Sequence, residues 1–166
     1  MAANMFVEIS DITGDAMETG HKDWIVVQSA SWNVERAVEM TDLGSTQRMH
    51  ANSNFGKVEL TSQMGKASND LALSVANGTV RKEIIMHWCR SGDSAADGLL
   101  VYCIWKLKNV VIDSYSLSSS EDGIPEETWA LAYAAMEIEY KSTDQKTGKL
   151  KTEGTFKWNV QTGKVE

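Results

Sequence analysis

Apolar and polar residues alternate with a period of two over most of this chain, which is the pattern of β-strands. Met5 to Ile9 alternates cleanly, and Lys57 to Met64 does so again. The same period predicts further strands over residues 24–34, 80–90, 99–117, 128–140 and 155–160. The segments 80–90 and 99–109 flank a turn-rich stretch and predict a hairpin.

One segment has helical spacing instead. Its apolar stripe consists of Leu71, Ala72, Val75 and Ala76. Ser68 is the predicted N-cap, because its hydroxyl can accept an N–H of the first turn. Asn77-Gly78 predicts a left-handed stop at the other end.

Seven or eight strands and one short helix predict a single, mainly β domain over residues 1–166, an antiparallel β-barrel or two-sheet sandwich. From Val110 to Tyr140, however, both strand faces carry apolar side chains. This surplus indicates a surface built for association. Within 128–140 the apolar face changes sides, which predicts a β-bulge near Ala134-Ala135.

Two other regions suggest function rather than folding. The odd positions of the second strand become polar toward its end, at Ser29, Ser31 and Asn33. Residues 35–56 show no sustained periodicity, and unstructured loops longer than about 12–15 residues tend to be functional.

Charge and composition exclude several classes of protein. The net charge of −7 opposes binding to nucleic acid or to an anionic membrane surface. The longest apolar run, 99–105, is far shorter than the roughly 20 residues that span a bilayer. The N-terminus has no signal-peptide pattern, so synthesis in the cytosol with reduced thiols is expected.

Sites for catalysis or metals are weakly indicated. His21 and Asp23 resemble half of a metal site but lack a second histidine or cysteine pair at ligand spacing, so a hydrogen-bonded loop histidine is favoured. His87 and Cys89 share a strand face, yet Cys89 and Cys103 lie in apolar strands and are interpreted as inert core cysteines. Closure of the hairpin would place these two cysteines diagonally, unbonded.

Two residue classes have structural interpretations. The acidic residues Glu121, Asp122, Glu126 and Glu127 lack calcium-loop spacing and are interpreted as a solvated loop. The six tryptophans fall in predicted strands, which favours core or subunit contacts over carbohydrate stacking.

A series of motifs runs along the chain, beginning with MFVEISDITGDA and GHKDWIVVQSASWN, continuing through SNDLALSVANG and LKNVVIDSYSLSSSEDGIPEETWALAYAAMEIEYK, and closing with FKWNV. In this order they resemble the haemolysin-coregulated protein (Hcp) family, whose members form the tube of the bacterial type VI secretion system. Ala30 stands where the family has the first tryptophan of a pair, so only Trp32 remains.

The resemblance implies a non-enzymatic subunit without cofactor or metal. Its partners would be five further copies in a hexameric ring, stacked rings, a VgrG-like spike, sheath components and small effector proteins. It would leave the bacterial cytoplasm without a signal peptide. The chain ends soon after its last strand, so no toxin extension is expected.

The resemblance also assigns roles to residues. Ser29, Ser31 and Asn33 would face the ring lumen, while Trp32 and Val34 would lie in the barrel wall. The loop from Arg36 to Phe55 would reach the neighbouring ring, with the following candidates: Arg36, Glu39, Met40, Asp42, Leu43, Arg48, His50 and Phe55.

Two alternatives stay open from the sequence. A contractile-phage tail-tube protein shares this architecture. A small β-barrel enzyme or ligand-binding protein using His87 and Cys89 belongs to a different class. The cargo, and whether the target is a bacterium or a host cell, are not encoded in these patterns.

Overall fold

The computed structural model describes residues 4–38, 52–92, 94 and 96–166. Within these ranges the chain forms one helix, α1 (Ser68–Asn77), and eleven strands. The strands are β1 (Met5–Ile9), β2 (Ile25–Val26), β3 (Ser29–Ser31), β4 (Val34–Arg36), β5 (Ser53–Phe55), β6 (Val58–Gln63), β7 (Val80–Ser91), β8 (Leu99–Ser118), β9 (Glu126–Ala132), β10 (Ala135–Thr143) and β11 (Leu150–Asn159).

The main sheet closes into a barrel through one short segment. Its order is β2-β1-β7-β8-β9-β6-β3, and β2 and β3 are consecutive in the chain. Between them, the Val27 N–H donates to the Met5 carbonyl at 3.0 Å and the Gln28 N–H donates to the Thr61 carbonyl at 2.8 Å. The segment therefore changes partner from β1 to β6, which divides the single strand predicted over 24–34 and confirms the barrel.

The barrel interior holds the core. Fully buried apolar side chains come from four strands and the helix: Val58, Leu60, Leu71, Ile84, Leu107, Trp129 and Leu131. On β1, Phe6 points away from Val7 and belongs to a second buried cluster with Ala16 and Cys89. Apolar residues on both faces of β1 are thus explained by two separate clusters.

Strand β8 joins the barrel to a hairpin that lies outside it. Along one edge β8 pairs with β7. Along the other edge its residues 103–108 pair with β10, and its residues 111–118 pair with β9. Strand β11 pairs with β10. The β10–β11 hairpin therefore branches from the first half of β8.

The predicted change of face in the 128–140 segment is present, but the predicted bulge at Ala134-Ala135 is wrong. Two residues separate β9 from β10, and pairing with β8 keeps the same register on both sides of them. Ala132 lies opposite Val111, and Ala135 lies opposite Lys108. The register shift lies in β8 instead, between Ile112 and Ser114.

Strand β8 changes face at the same level as its partner. Leu107 and Val110 are both completely buried, although an odd separation puts them on opposite faces of a regular strand. Asn109 between them has φ of 50°, in the left-handed region that asparagine tolerates. The two paired strands therefore turn over together, so neither needs an extra residue here.

Helix α1 confirms one predicted end and corrects the other. Gly78 has φ of 67°, and its N–H donates to the Ser74 carbonyl, as a left-handed C-terminal stop requires. At the other end the N-cap is Ala67, and no side chain caps the helix. The predicted Ser68 cap is wrong, because its hydroxyl accepts the Gly65 N–H at 2.9 Å instead.

A carboxyl group from the acidic segment is buried in the barrel. Glu127 is 1% exposed, and it accepts hydrogen bonds from Ser62 at 2.7 Å and Tyr115 at 2.8 Å. Burial and the neighbouring Glu127 raise the pKa of Tyr115 to about 12, so its hydroxyl stays a donor. The interpretation of Glu127 as a solvated loop residue is wrong, whereas Glu121, Asp122 and Glu126 are exposed.

Candidate assembly surfaces

The three predicted lumen residues lie together on an exposed polar surface. Ser29 and Ser31 are in β3, and Asn33 follows two residues later; all three are exposed. Strand β3 pairs with β6, which places Ser29 opposite Thr61 and Ser31 opposite Glu59. The alternation of β3 therefore brings polar side chains to the barrel's outer surface.

This surface continues across three more strands, which the sequence analysis missed. Thr61 lies opposite Thr128, and Thr128 lies opposite Ser116. We call the resulting group of hydroxyl side chains the hydroxyl face: Ser29, Ser31, Thr61, Ser114, Ser116 and Thr128. The signal in the sequence was the polar half of each alternating strand, but only pairing shows that these halves are adjacent.

Two of the predicted loop residues, Arg36 and Phe55, lie in a separate two-stranded sheet. Strands β4 and β5 pair antiparallel, with Val34 opposite Phe55 and Arg36 opposite Ser53. The loop predicted over 35–56 thus begins and ends as a hairpin stem. Glu39, Met40, Asp42, Leu43, Arg48 and His50 lie outside the described residues.

Aromatic side chains pack between this stem and the β10–β11 hairpin. The Phe55 ring stacks on Trp158 at 5.8 Å, and Trp32 lies 6.2 Å from Phe156 and 5.5 Å from Trp105. We call this group, Trp32, Phe55, Trp105, Phe156 and Trp158, the aromatic cluster. These ring contacts agree with the interpretation of the tryptophans as core or subunit-contact residues, although Trp32 lies just outside a strand.

The aromatic cluster is only partly covered. Phe156 is 37% exposed, and Val34 beside it in the stem is 46% exposed. The expectation that Val34 lies in the barrel wall is therefore wrong. Trp32 is half-buried, and its indole N–H donates to the Tyr133 hydroxyl at 2.6 Å, which in turn donates to the Gly56 carbonyl at 2.8 Å.

Strand β11 forms an edge. Among the described strands it pairs with β10 alone, and seven consecutive residues from Lys151 to Lys157 are exposed. At its last residue the Asn159 N–H donates to the Lys164 carbonyl at 2.9 Å. Before that residue, the outer N–H and C=O groups of β11 have no sheet partner within the described chain. An edge strand of ten residues with adjacent apolar side chains is a surface on which another chain can pair.

His21, within the loop 13–24, is the centre of a buried polar cluster. It is 3% exposed, its Nδ1 lies 2.5 Å from Glu18 Oε2, and its Nε2 lies 2.9 Å from His87 Nδ1. Cys89 Sγ is 3.8 Å from the same Nε2. The prediction of a hydrogen-bonded loop histidine is confirmed, but its partner His87 is 66 residues away and was missed.

Neither thiol is set up as a nucleophile. Burial, with a smaller contribution from Glu18, raises the pKa of Cys89 to about 11. Burial likewise raises the pKa of Cys103. Both cysteines are free, and Cys103 lies opposite Trp88 rather than Cys89. The interpretation as a core cysteine is confirmed for Cys89, which is 2% exposed, whereas Cys103 is only partly buried. The raised pKa values disfavour the thiolate that nucleophilic attack requires.

No set of three histidine, cysteine or carboxylate side chains in the described ranges can hold a metal ion. Nor does any helix within those ranges have the length and apolar character to cross a bilayer.

A family model described as "Type VI secretion system effector, Hcp" matches residues 6–140. That is most of the chain. The chain belongs to the Hcp family. The match supports the predicted resemblance and favours a secretion component over a phage tail-tube protein. Comparison with curated protein sequences gives no match.

Solved structures of type VI secretion proteins share the fold over nearly the full length. A structure titled as a type six secretion system protein has a TM-score of 0.88 at 25% identity, covering 99% of this chain and 100% of its own. Hcp1 from Salmonella typhimurium has a TM-score of 0.76 at 22% identity, with both chains fully covered. A type VI secretion system effector from Yersinia pestis has a TM-score of 0.72 at 20% identity, covering 95% of this chain and all of its own.

Membership of the Hcp family sets the class of function. Hcp proteins are structural, secreted tube proteins of the type VI secretion system and are not a known enzyme family. The candidate surfaces of this chain are the hydroxyl face, the β4–β5 stem, the aromatic cluster and the edge of β11.

Proposed function

We propose that this chain forms six-membered rings that stack into the hollow inner tube of a type VI secretion system, and that small effector proteins travel in the ring lumen. The observation that carries the proposal is the uncovered edge of β11 beside the half-exposed aromatic cluster. The edge would be covered by the next subunit in the ring.

The proposed seam combines backbone and side-chain contacts. An edge strand offers N–H and C=O groups to a neighbouring strand, which gives direction to the contact. Aromatic side chains contribute most of the energy of many interfaces, because they bury a large area with few rotatable bonds. Phe156 and Trp158 lie on the edge strand itself, so both contributions come from one element.

The proposed lumen surface is the hydroxyl face. Its serine and threonine hydroxyls donate and accept hydrogen bonds without carrying charge. The exposed carboxylate of Glu59 lies among them, opposite Ser31, so the proposed surface stays wet and is polar without being free of charge. A strongly charged lumen would retain proteins of opposite charge. Ser29, Ser31 and Asn33 keep their proposed lumen role, with the hydroxyls of β6, β8 and β9 beside them.

The β4–β5 stem supplies the proposed contact between stacked rings. It forms its own small sheet, and the loop between its strands carries the remaining stacking candidates. Phe55 lies opposite Val34 at the base of the stem, and Arg36 lies opposite Ser53 at the end where the loop begins. A VgrG-like spike and sheath components remain the proposed partners of the completed tube.

Native mass spectrometry of the purified chain tests ring formation. We expect a dominant species of six copies, and a monodisperse monomer contradicts the proposal. The variant Phe156→Asp places a charge in the proposed seam and should convert rings to monomers, because an unpaired carboxylate is costly to bury.

A matched control separates the seam from general surface polarity. Leu73 on α1 is 59% exposed, so Leu73→Asp changes an exposed apolar residue far from β11 and should leave the rings intact. Circular dichroism of both variants checks that each is folded. Rings that survive Phe156→Asp, or are lost equally in Leu73→Asp, would place the seam elsewhere.

A further inference from the structure

The loop between Ile12 and β2 folds back on itself through backbone hydrogen bonds. The Gly14 N–H donates to the Asp23 carbonyl at 2.7 Å, and the Ala16 N–H donates to the Trp24 carbonyl at 3.0 Å. The loop covers the face of β1 that bears Phe6, where Phe6, Ala16 and Cys89 form the second buried cluster. It thus forms a cover over one face of the sheet.

His21 is the buried polar side chain that fastens this cover. Its ring stacks on Phe6 at 4.4 Å with an angle of 8° between the rings, and it is hydrogen-bonded on both nitrogens. One bond, to Glu18, stays within the loop. The other, to His87 of β7, joins the loop to the barrel.

The bonds of His21 fix where its protons lie. A carboxylate only accepts, so the Nδ1 of His21 carries the hydrogen that is donated to Glu18. When His21 is neutral, its Nε2 therefore accepts from the Nδ1–H of His87. With one added proton on His21, the direction of the bond reverses and His87 accepts.

A second proton breaks the arrangement. Both facing nitrogens would then carry hydrogens at a separation of 2.9 Å, and two positive rings would be in contact. The cluster can therefore hold one positive charge on its two histidines but not two.

The surrounding charges do not remove this conflict. Glu18 faces His21 from within the loop, and Cys89 of β7 stays neutral. Lys106 of β8 and Lys141 of β10 add positive charge near His87, and Glu139 of β10 lies 3.9 Å from the Lys141 ammonium. Burial, followed by His21 and these lysines, lowers the pKa of His87 from 6.5 to about 4.

We propose that the His21–His87 pair is an acid-sensitive clasp, which holds the loop 13–24 on β1 and β7 at neutral pH and releases it in mild acid. When the loop opens, His87 is exposed and takes up a proton at its ordinary pKa; in the closed state it resists the proton. The closed state is therefore fully favoured above pH 6.5 and loses stability as the pH falls toward 4.

Amide hydrogen exchange measures the clasp directly. The protection factors of the Gly14, Ala16 and Trp24 amides should fall by up to about 20-fold between pH 7 and pH 5, as follows from a pKa of about 4 in the closed loop and 6.5 in the open one. Amides of the β10–β11 hairpin should keep their protection. A loss spread evenly over the chain would overturn the proposal, since the clasp acts on one loop.

The variant His87→Asn isolates the titrating group. The asparagine side-chain N–H₂ can take the place of Nδ1 as donor to His21, but it does not titrate. In this variant the loop 13–24 should keep its protection at pH 5. The control His50→Asn removes the third histidine of the chain and should lose protection as the unmodified chain does. Equal acid sensitivity in His87→Asn and in the unmodified chain would overturn the proposal.

A direct titration covers the case in which His87→Asn does not fold. The ring carbon resonances of His87 in the unmodified chain should show a pKa well below 6.5 by nuclear magnetic resonance. An ordinary pKa for His87 would contradict the clasp. The clasp lies within one subunit, so either result is independent of ring formation.

Discussion

The closed barrel and the β10–β11 hairpin share the same alternation of apolar and polar residues but bury it to different extents. In the barrel, Trp129 of β9 and Leu60 of β6 are fully buried. In the hairpin, seven consecutive β11 residues are exposed, and Phe156 retains 37% of its surface. Among the described residues the barrel is complete, whereas the hairpin has a face that those residues leave uncovered.

The difference separates two uses of apolar surface. Burial stabilises a structure by roughly 25 cal/mol for each Å² removed from water, so a residue contributes only where it is covered. Trp129 contributes to folding of the single chain. Trp158 and Phe156 contribute in full only if a second chain packs against them.

The largest expected contrast comes from replacing one tryptophan by alanine in each region. Trp129→Ala should lower the free energy of unfolding by about 3–5 kcal/mol, the usual range for a tryptophan lost from a core. Trp158→Ala, at a half-buried position, should lower it by less than half as much. Urea unfolding at concentrations too low for ring assembly measures both.

In a measurement of ring assembly, the order of the two tryptophan variants should be the reverse of their order in unfolding. At concentrations that favour rings, Trp158→Ala should weaken assembly more than Trp129→Ala does under conditions in which both are folded. If the two variants have equal free energies of unfolding, the barrel and the hairpin do not differ in how much their apolar side chains stabilise the single chain.

A smaller contrast is expected for two glutamates. Glu127→Ala leaves the Tyr115 and Ser62 hydroxyls without their acceptor inside the barrel and should cost about 1–3 kcal/mol. Glu153 in the hairpin is exposed and accepts from Ser142 at its surface. Glu153→Ala should change the free energy of unfolding by no more than about 0.5 kcal/mol. Thermal unfolding of the two variants tests the order.

The smallest effect on folding is expected from the loop beyond the β4–β5 stem. Shortening the segment from Thr41 to Asn52, which spares Ser53 of β5, should leave ring formation intact and impair stacking, because the loop is the proposed contact between rings. Negative-stain imaging counts single rings and stacks. Loss of the rings themselves would mean that the loop acts within a ring, beside the hairpin.

Local patterns predicted elements whose partners lie nearby in the chain. Strand β1 occurs where the alternation placed it, and α1 ends at Gly78 because a left-handed residue needs no distant contact. The break at Val27-Gln28 could not be predicted, because it depends on which strand each half pairs with. Ser68 failed as a cap for a similar reason, since Gly65 takes its hydroxyl.

For each site, the sequence predicted some of the residues but not the partners that the fold brings to them. The polar positions Ser29 and Ser31 were found by alternation, but Thr128 and Ser116 join them only through pairing across β6 and β9. His87 and Cys89 were recognised as neighbours on one strand. His21, 66 residues earlier, could be placed beside them only in the fold. Glu127 was misplaced because acidic composition outweighed its position in an alternating strand.

If the chain is the proposed tube subunit, strand β8 has a mechanical consequence. Its twenty residues have a contour length of roughly 65 Å, with β7 along one edge and β9 and β10 along the other. Force applied to the hairpin along the strand direction passes through β10 into the middle of this ladder. The hydrogen bonds between β8 and β7 then carry the load in shear, all together rather than one after another.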